Sequence, residues 1–150
     1  MIDRESRTQL AELTRHLVAG RITNDEFEDR ISLNSADPAV WEIFLSGPWY
    51  LYSDNREYRL TVKYRLLKGT RHDVARWILF LKTDFEYEWP QLGRFRSLLL
   101  LLGNLFSVGL LSVVYRRYSR RFGDSEVWPF LRRSDYDSAL KQPPYFTGAL

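Results

Sequence analysis

The chain has 150 residues, 45% hydrophobic and 27% charged, with 8 Gly and 6 Pro, a globular composition that excludes collagen-like, low-complexity and wholly disordered chains. It contains no cysteine, so disulfides, thiolate metal sites and a cysteine nucleophile are excluded too. Its 5 Trp, 9 Tyr and 9 Phe supply ring surface suited to a crowded core, a contact surface or a membrane interface, and the net charge is +3.

Met1 to Arg7 is polar and no apolar run follows it, which predicts that the N-terminal part stays in the cytoplasm. Residues 3–19 read as an amphipathic helix, with Leu10, Leu13 and Leu17 on one face and Glu12 and Arg15 outside. Gly20 is a natural stop, because glycine enters the left-handed region without a Cβ penalty. Thr23-Asn24-Asp25-Glu26 then predicts a capping box and a second helix over about 24–32, with Phe27 and Ile31 on one face. The two make a helical hairpin.

Asp3-Arg4-Glu5, Leu10, Gly20-Arg21-Ile22-Thr23, Asp25-Glu26-Phe27 and Arg30-Ile31 together resemble the bacterial SHOCT-like family. The closer likeness is to its N-terminal variant, often found ahead of membrane-spanning segments. The resemblance covers about the first 31 of the 150 residues. It implies a small helical hairpin used for association, brings no catalytic residues, and says nothing of residues 32–150.

Asp37-Pro38 restarts a helix, Asp as N-cap and Pro in the first turn, with Val40, Trp41, Phe44 and Leu45 as its buried face and Gly47-Pro48 as its end. Tyr58, Leu60, Val62, Tyr64 and Leu66 alternate with Arg59, Thr61, Lys63 and Arg65, a period of two that predicts a small β-hairpin over about 49–66, turning at Ser53-Asp54-Asn55. A helix through 55–67 is the alternative, since no Gly or Pro interrupts it. Val74, Trp77, Ile78 and Leu81 describe a helical face over 71–82, with Thr70 and Asp73 serving the first turn. Ser134 to Leu140 forms a further short helix. The fold class is therefore mainly α, with an N-terminal hairpin (1–33), a small helical or α+β domain (34–93), one long apolar helix (about 97–115, within a basic-flanked segment 94–121) and a C-terminal segment (122–150).

The apolar stretch decides the functional reading. Residues 98–114 carry no charge, and twelve of the seventeen are Leu, Val or Phe. As a helix, 97–115 would reach about 28 Å, close to the ~30 Å hydrocarbon core of a bilayer. Twelve such side chains contribute roughly −4 to −7 kcal/mol to insertion; Asn104, two Ser and two Gly subtract from that, but no residue brings the ~3 kcal/mol cost of a central charge. The positive charge gathers around this run: residues 91–121 hold six arginines (Arg94, Arg96, Arg116, Arg117, Arg120, Arg121) and no acid, against a net of −2 before them and −1 after. Trp89 and Trp128 flank it, as do Tyr87, Tyr115 and Tyr118, rings that favour the headgroup level. The six arginines with Trp89 and Trp128 are thus the candidate lipid or anion contacts. Gly103 and Ser107 are spaced for close helix approach.

Three topologies stay open: a cytoplasmic C-terminal tail, a cytoplasmic N-terminal domain with a translocated tail, and a helix dipping into one leaflet. The alternative to all three is a soluble protein with this helix buried in a core or in a second subunit.

Signals for chemistry are weak. His16 and His72 fall in different predicted helices, and no nucleophile elbow or zinc motif accompanies them. Asp84, Glu86 and Glu88 would share one face of an extended chain, a pattern that can bind a cation or cleave a glycoside but more commonly meets solvent or basic groups. Arg116-Arg117-Tyr118-Ser119-Arg120-Arg121 could bind nucleic acid, although its place beside the apolar run favours phospholipid. Trp128-Pro129-Phe130 and Tyr136 are expected to fold back on the helical domain.

The expectation is a bacterial, non-enzymatic, membrane-associated protein of the inner membrane, with a cytoplasmic interaction domain and no metal or cofactor. Its partners are a phospholipid membrane and a protein partner or a second copy. A soluble cytoplasmic interaction module ranks second, and nucleic acid last among partners.

Overall fold

The computed structural model describes residues 1–89 and 123–141. These form five α-helices and no β-strand: α1 (Arg4–Val18), α2 (Asn24–Arg30), α3 (Pro38–Ser46), α4 (Lys68–Leu81) and α5 (Arg133–Lys141). The predicted apolar helix over 97–115 lies outside the described residues.

The N-terminal hairpin follows local chemistry closely. Asp3 caps α1, its carboxylate accepting from the Ser6 amide at 3.0 Å and the Ser6 hydroxyl at 2.7 Å. Leu10, Leu13 and Leu17 are buried, and Arg7, Ala11 and Thr14 widen the same stripe. Gly20, at φ +66°, then reverses the chain. The Gly20 amide donates to the Leu17 carbonyl and the Arg21 amide to that of His16, closing the end of the helix. Any Cβ at position 20 would also sit 2.3 Å from the Thr61 methyl, so the turn needs glycine for both conformation and space. The capping box forms as expected, with Thr23 accepting from the Glu26 amide and Glu26 accepting from the Thr23 amide.

Asp37 caps α3 through the Ala39 amide. The α3 face differs from expectation: Ile43 is buried beside Val40 and Phe44, Leu45 is half-buried, and Trp41 turns outward. At 100° per residue, Val40, Ile43 and Phe44 form one stripe and Trp41 falls off its edge.

The β-hairpin expected over 49–66 does not form. That segment holds two short 3₁₀ turns, Pro48–Leu51 and Val62–Tyr64, with irregular chain between them. The reason lies in Asn24, which is buried at the start of α2. Its side-chain oxygen accepts from the Tyr58 amide at 2.7 Å, its amide donates to the Tyr58 carbonyl at 3.2 Å, and its Nδ2 donates to the Arg56 carbonyl at 3.1 Å. The backbone groups of Arg56 and Tyr58 that a partner strand would have engaged are taken by one asparagine. Of the alternating residues only Leu60 is buried; Tyr58, Tyr64 and Leu66 are half-buried and Val62 is fully exposed.

Helix α4 starts earlier than predicted, at Lys68, so Thr70 lies inside it rather than capping it, and no side chain caps its start. It is the axis of the fold: α1 packs along it, α3 touches it and α5 covers another side. The core joins Leu10, Leu17 and Phe27 to Phe80, Leu81, Val127 and Phe130 in one cluster. Each such side chain contributes about 1.5–3 kcal/mol by leaving water. Phe130 packs edge-on against Phe80 at 5.0 Å and near Phe85 and Tyr136, so the segment after residue 122 returns to the helical domain as expected.

Candidate functional site

Two of the eight residues singled out as lipid or anion contacts, Trp89 and Trp128, fall among the described residues; the six arginines lie outside them. The structure brings these two tryptophans to one seam. The Trp89 indole donates to the carbonyls of Pro129 (2.9 Å) and Phe130 (3.2 Å). The Trp128 indole donates to the Tyr87 hydroxyl at 3.2 Å, and its ring meets Trp77 edge-on with centroids 6.1 Å apart. Arg76 on α4 holds the Trp128 carbonyl at 2.6 Å. Both indole N–H groups are thus satisfied within the protein.

The seam also joins the two borders of residues 90–122. A Cβ on Gly123 would lie 3.1 Å from the Trp89 ring and closer still to Leu131, so glycine is what lets the chain resume this near to Trp89. Asp124 then anchors the returning segment. Its carboxylate accepts from the Glu126 amide and from Arg133, and together these donors lower its pKa.

The acidic row does not form a paired carboxylate site. Asp84 is bound by Arg4, Glu86 lies 3.8 Å from the Met1 amino group, and Glu88 lies 3.7 Å from Arg132. Each carboxylate answers a different cation, a pattern suited to surface pairing rather than to shared acid–base work. His16 sits in the last turn of α1 and His72 in α4, and no cluster of metal-ligating side chains occurs among the described residues.

A buried ion pair that sequence reasoning did not single out lies at the centre. Arg7 is 0% exposed and Asp37 2%. Arg7 Nε donates to Asp37 Oδ2 at 2.5 Å, Nη2 donates to Oδ1 at 3.1 Å, and Nη1 donates to the carbonyls of Phe85 (2.8 Å) and Thr83 (3.3 Å). The guanidinium also stands 5.4 Å from the centre of the Phe80 ring. Burial alone would raise the Asp37 pKa, but donors from Arg7 and from the amides of Asp3 and Ala39 outweigh it and hold the carboxyl below its ordinary value. These four hydrogen bonds join α1, the start of α3 and the chain after α4. The pair is a structural clamp.

Sequence reasoning also passed over residues 56–71. This stretch carries Arg56, Arg59, Lys63, Arg65, Lys68 and Arg71 against a single acid, Glu57, all exposed. A charge count in a shorter window would have found it; the long window that gave a net of −2 averaged it away.

No helix among the described residues is long and apolar enough to cross a membrane. No family model, curated protein or solved structure matches the chain.

Proposed function

We propose that the chain is a non-enzymatic, membrane-associated protein, held on one face of a bilayer through its uncharged segment 98–114. Its helical unit stays on that same face, where it associates with a protein partner or with a second copy. The observation that carries this reading is the contact of Trp89 with Gly123, Pro129 and Phe130. Had the apolar run crossed once, the chain before and after it would stand on opposite sides of ~30 Å of hydrocarbon. Instead the two borders pack side by side. Attachment to one leaflet reconciles that contact with the insertion energy of the run, and the arginines on both sides of it suit the phosphates of a single surface. Arginine enrichment favours the cytoplasmic face of the bacterial inner membrane. The hairpin of α1 and α2, whose residues resemble the SHOCT-like family, supplies the association element.

The test uses the absence of native cysteine. Single cysteines at Glu28 and at Ser134, before and after the run, are probed with a membrane-impermeant maleimide in sealed vesicles from expressing cells. The expected result is co-sedimentation with membranes and labelling of both positions from the same side. Labelling from opposite sides would overturn the one-face reading. Recovery of a monodisperse protein without detergent would overturn membrane association and favour the second reading, a soluble helical module whose run is covered by protein, since closely packed borders suit that arrangement too.

A further inference from the structure

Val62 is the one described non-glycine residue with a positive φ, at +41°, and it is 92% exposed. Both properties are unfavourable for an isolated chain: a β-branched side chain is strained in the left-handed region, and an isopropyl group gains nothing from water. Five residues on, Leu67 is 79% exposed. Lys63, Arg65, Lys68 and Arg71 are interleaved with these two apolar side chains, and none of the four meets a carboxylate within 4 Å among the described residues. Arg59, by contrast, is engaged by the carbonyls of Gly20 and Arg21 and by Glu26. Arg65 and Arg71 also line an open groove of about 310 Å³, shared with Val18, Leu60 and Leu66.

We propose that this loop and the start of α4 form a second lipid contact, in which Val62 and Leu67 enter the acyl boundary of an anionic bilayer while Lys63, Arg65, Lys68 and Arg71 bind headgroup phosphates. The inference rests on the membrane reading above and extends it to a second surface. Aliphatic tips set among cations suit a bilayer, which offers a negative surface above hydrocarbon. A nucleic acid offers the same phosphates but rewards flat aromatic platforms. The ring in this loop, Tyr64, is instead occupied by Tyr58 at 4.5 Å and by the cations of Arg56 and Lys63 at 5.3 and 5.7 Å. Lys68 stands about 14 Å along α4 from Trp77, whose ring meets Trp128 at the seam, so the two contacts orient the unit as well as attach it.

The experiment uses the full chain with an environment-sensitive fluorophore on Leu67→Cys, and on Asp29→Cys as control, added to phosphatidylcholine vesicles with or without phosphatidylglycerol. The expected result is a blue shift at position 67 that requires phosphatidylglycerol, fades with salt, and does not occur at position 29. Arg65→Ser with Lys68→Ser should weaken this anionic-lipid component by about fivefold per charge removed. Val62→Asn, which tolerates the left-handed backbone, should weaken it without lowering the melting temperature.

If the chain binds vesicles while position 67 stays in water, the second contact is overturned and one-face attachment through the apolar run stands. Failure of the chain to bind any vesicle overturns both. A response at position 67 to random duplex DNA but not to phosphatidylglycerol overturns the lipid assignment in favour of nucleic acid.

Discussion

Arg7 lies in the core with its guanidinium divided among Asp37, Thr83 and Phe85, whereas Arg65 and Arg71 stand in solvent with no carboxylate near them among the described residues. The contrast shows that a cation is kept inside a protein only where acceptors converge on it, and that a cation left outside without an answering acid is available to something else. The buried pair organises the fold, and the exposed cations define a surface. Substitution should separate the two roles.

The largest effect should come from breaking the buried pair. Asp37→Ala leaves the Arg7 charge uncompensated and removes the cap of α3, and should cost about 3–5 kcal/mol in denaturant unfolding. Arg7→Met combined with Asp37→Leu should cost less than the two single changes together, because no lone charge stays buried. Next, Asn24→Ala strips the Tyr58 amide and the Arg56 carbonyl of their partner. The expected loss is about 1–3 kcal/mol, with hydrogen exchange rising first at residues 53–60.

Acid probes the same node more gently. Asp3 is lowered from 3.8 to about 2 by the Ser6 amide and by the hydroxyls of Ser6 and Ser35, and Asp37 is lowered as well. The folded state therefore takes up these protons less readily than the unfolded chain. Their stabilisation is complete above about pH 4 and is lost as pH falls towards 2, so melting temperatures should drop across that window. Asp3→Asn should flatten the drop. Smallest of all, Arg65→Ser with Lys68→Ser should leave stability within about 0.5 kcal/mol of the parent, since both side chains are exposed and neither meets a carboxylate among the described residues.

Much of the helical framework could be read from residues acting on near neighbours. Asp3, Gly20, the Thr23–Glu26 box and Asp37-Pro38 each signal a helix boundary through bonds spanning only a few positions, and each boundary is where those bonds require. The segment 49–66 could not be read this way. Its alternating pattern is a genuine strand signal, overridden by Asn24, more than thirty residues distant in the chain. The Arg7–Asp37 pair was equally hidden, because an arginine on an amphipathic helix is ordinarily a surface residue and only folding supplies its acceptors. Of the candidate site, Trp89 and Trp128 were legible as aromatic flanks, but their meeting across one seam was not, since nothing in local pattern says that residues 89 and 129 are neighbours.

The closeness of Trp89 to Gly123 has an evolutionary consequence. A domain in which residues 89 and 123 lie this close can tolerate exchange of whatever sequence lies between them, as a tool handle accepts different heads. Descendants of such a chain can gain, shorten or replace the intervening segment by a single genetic insertion or deletion, while the five helices of the described residues inherit none of the change.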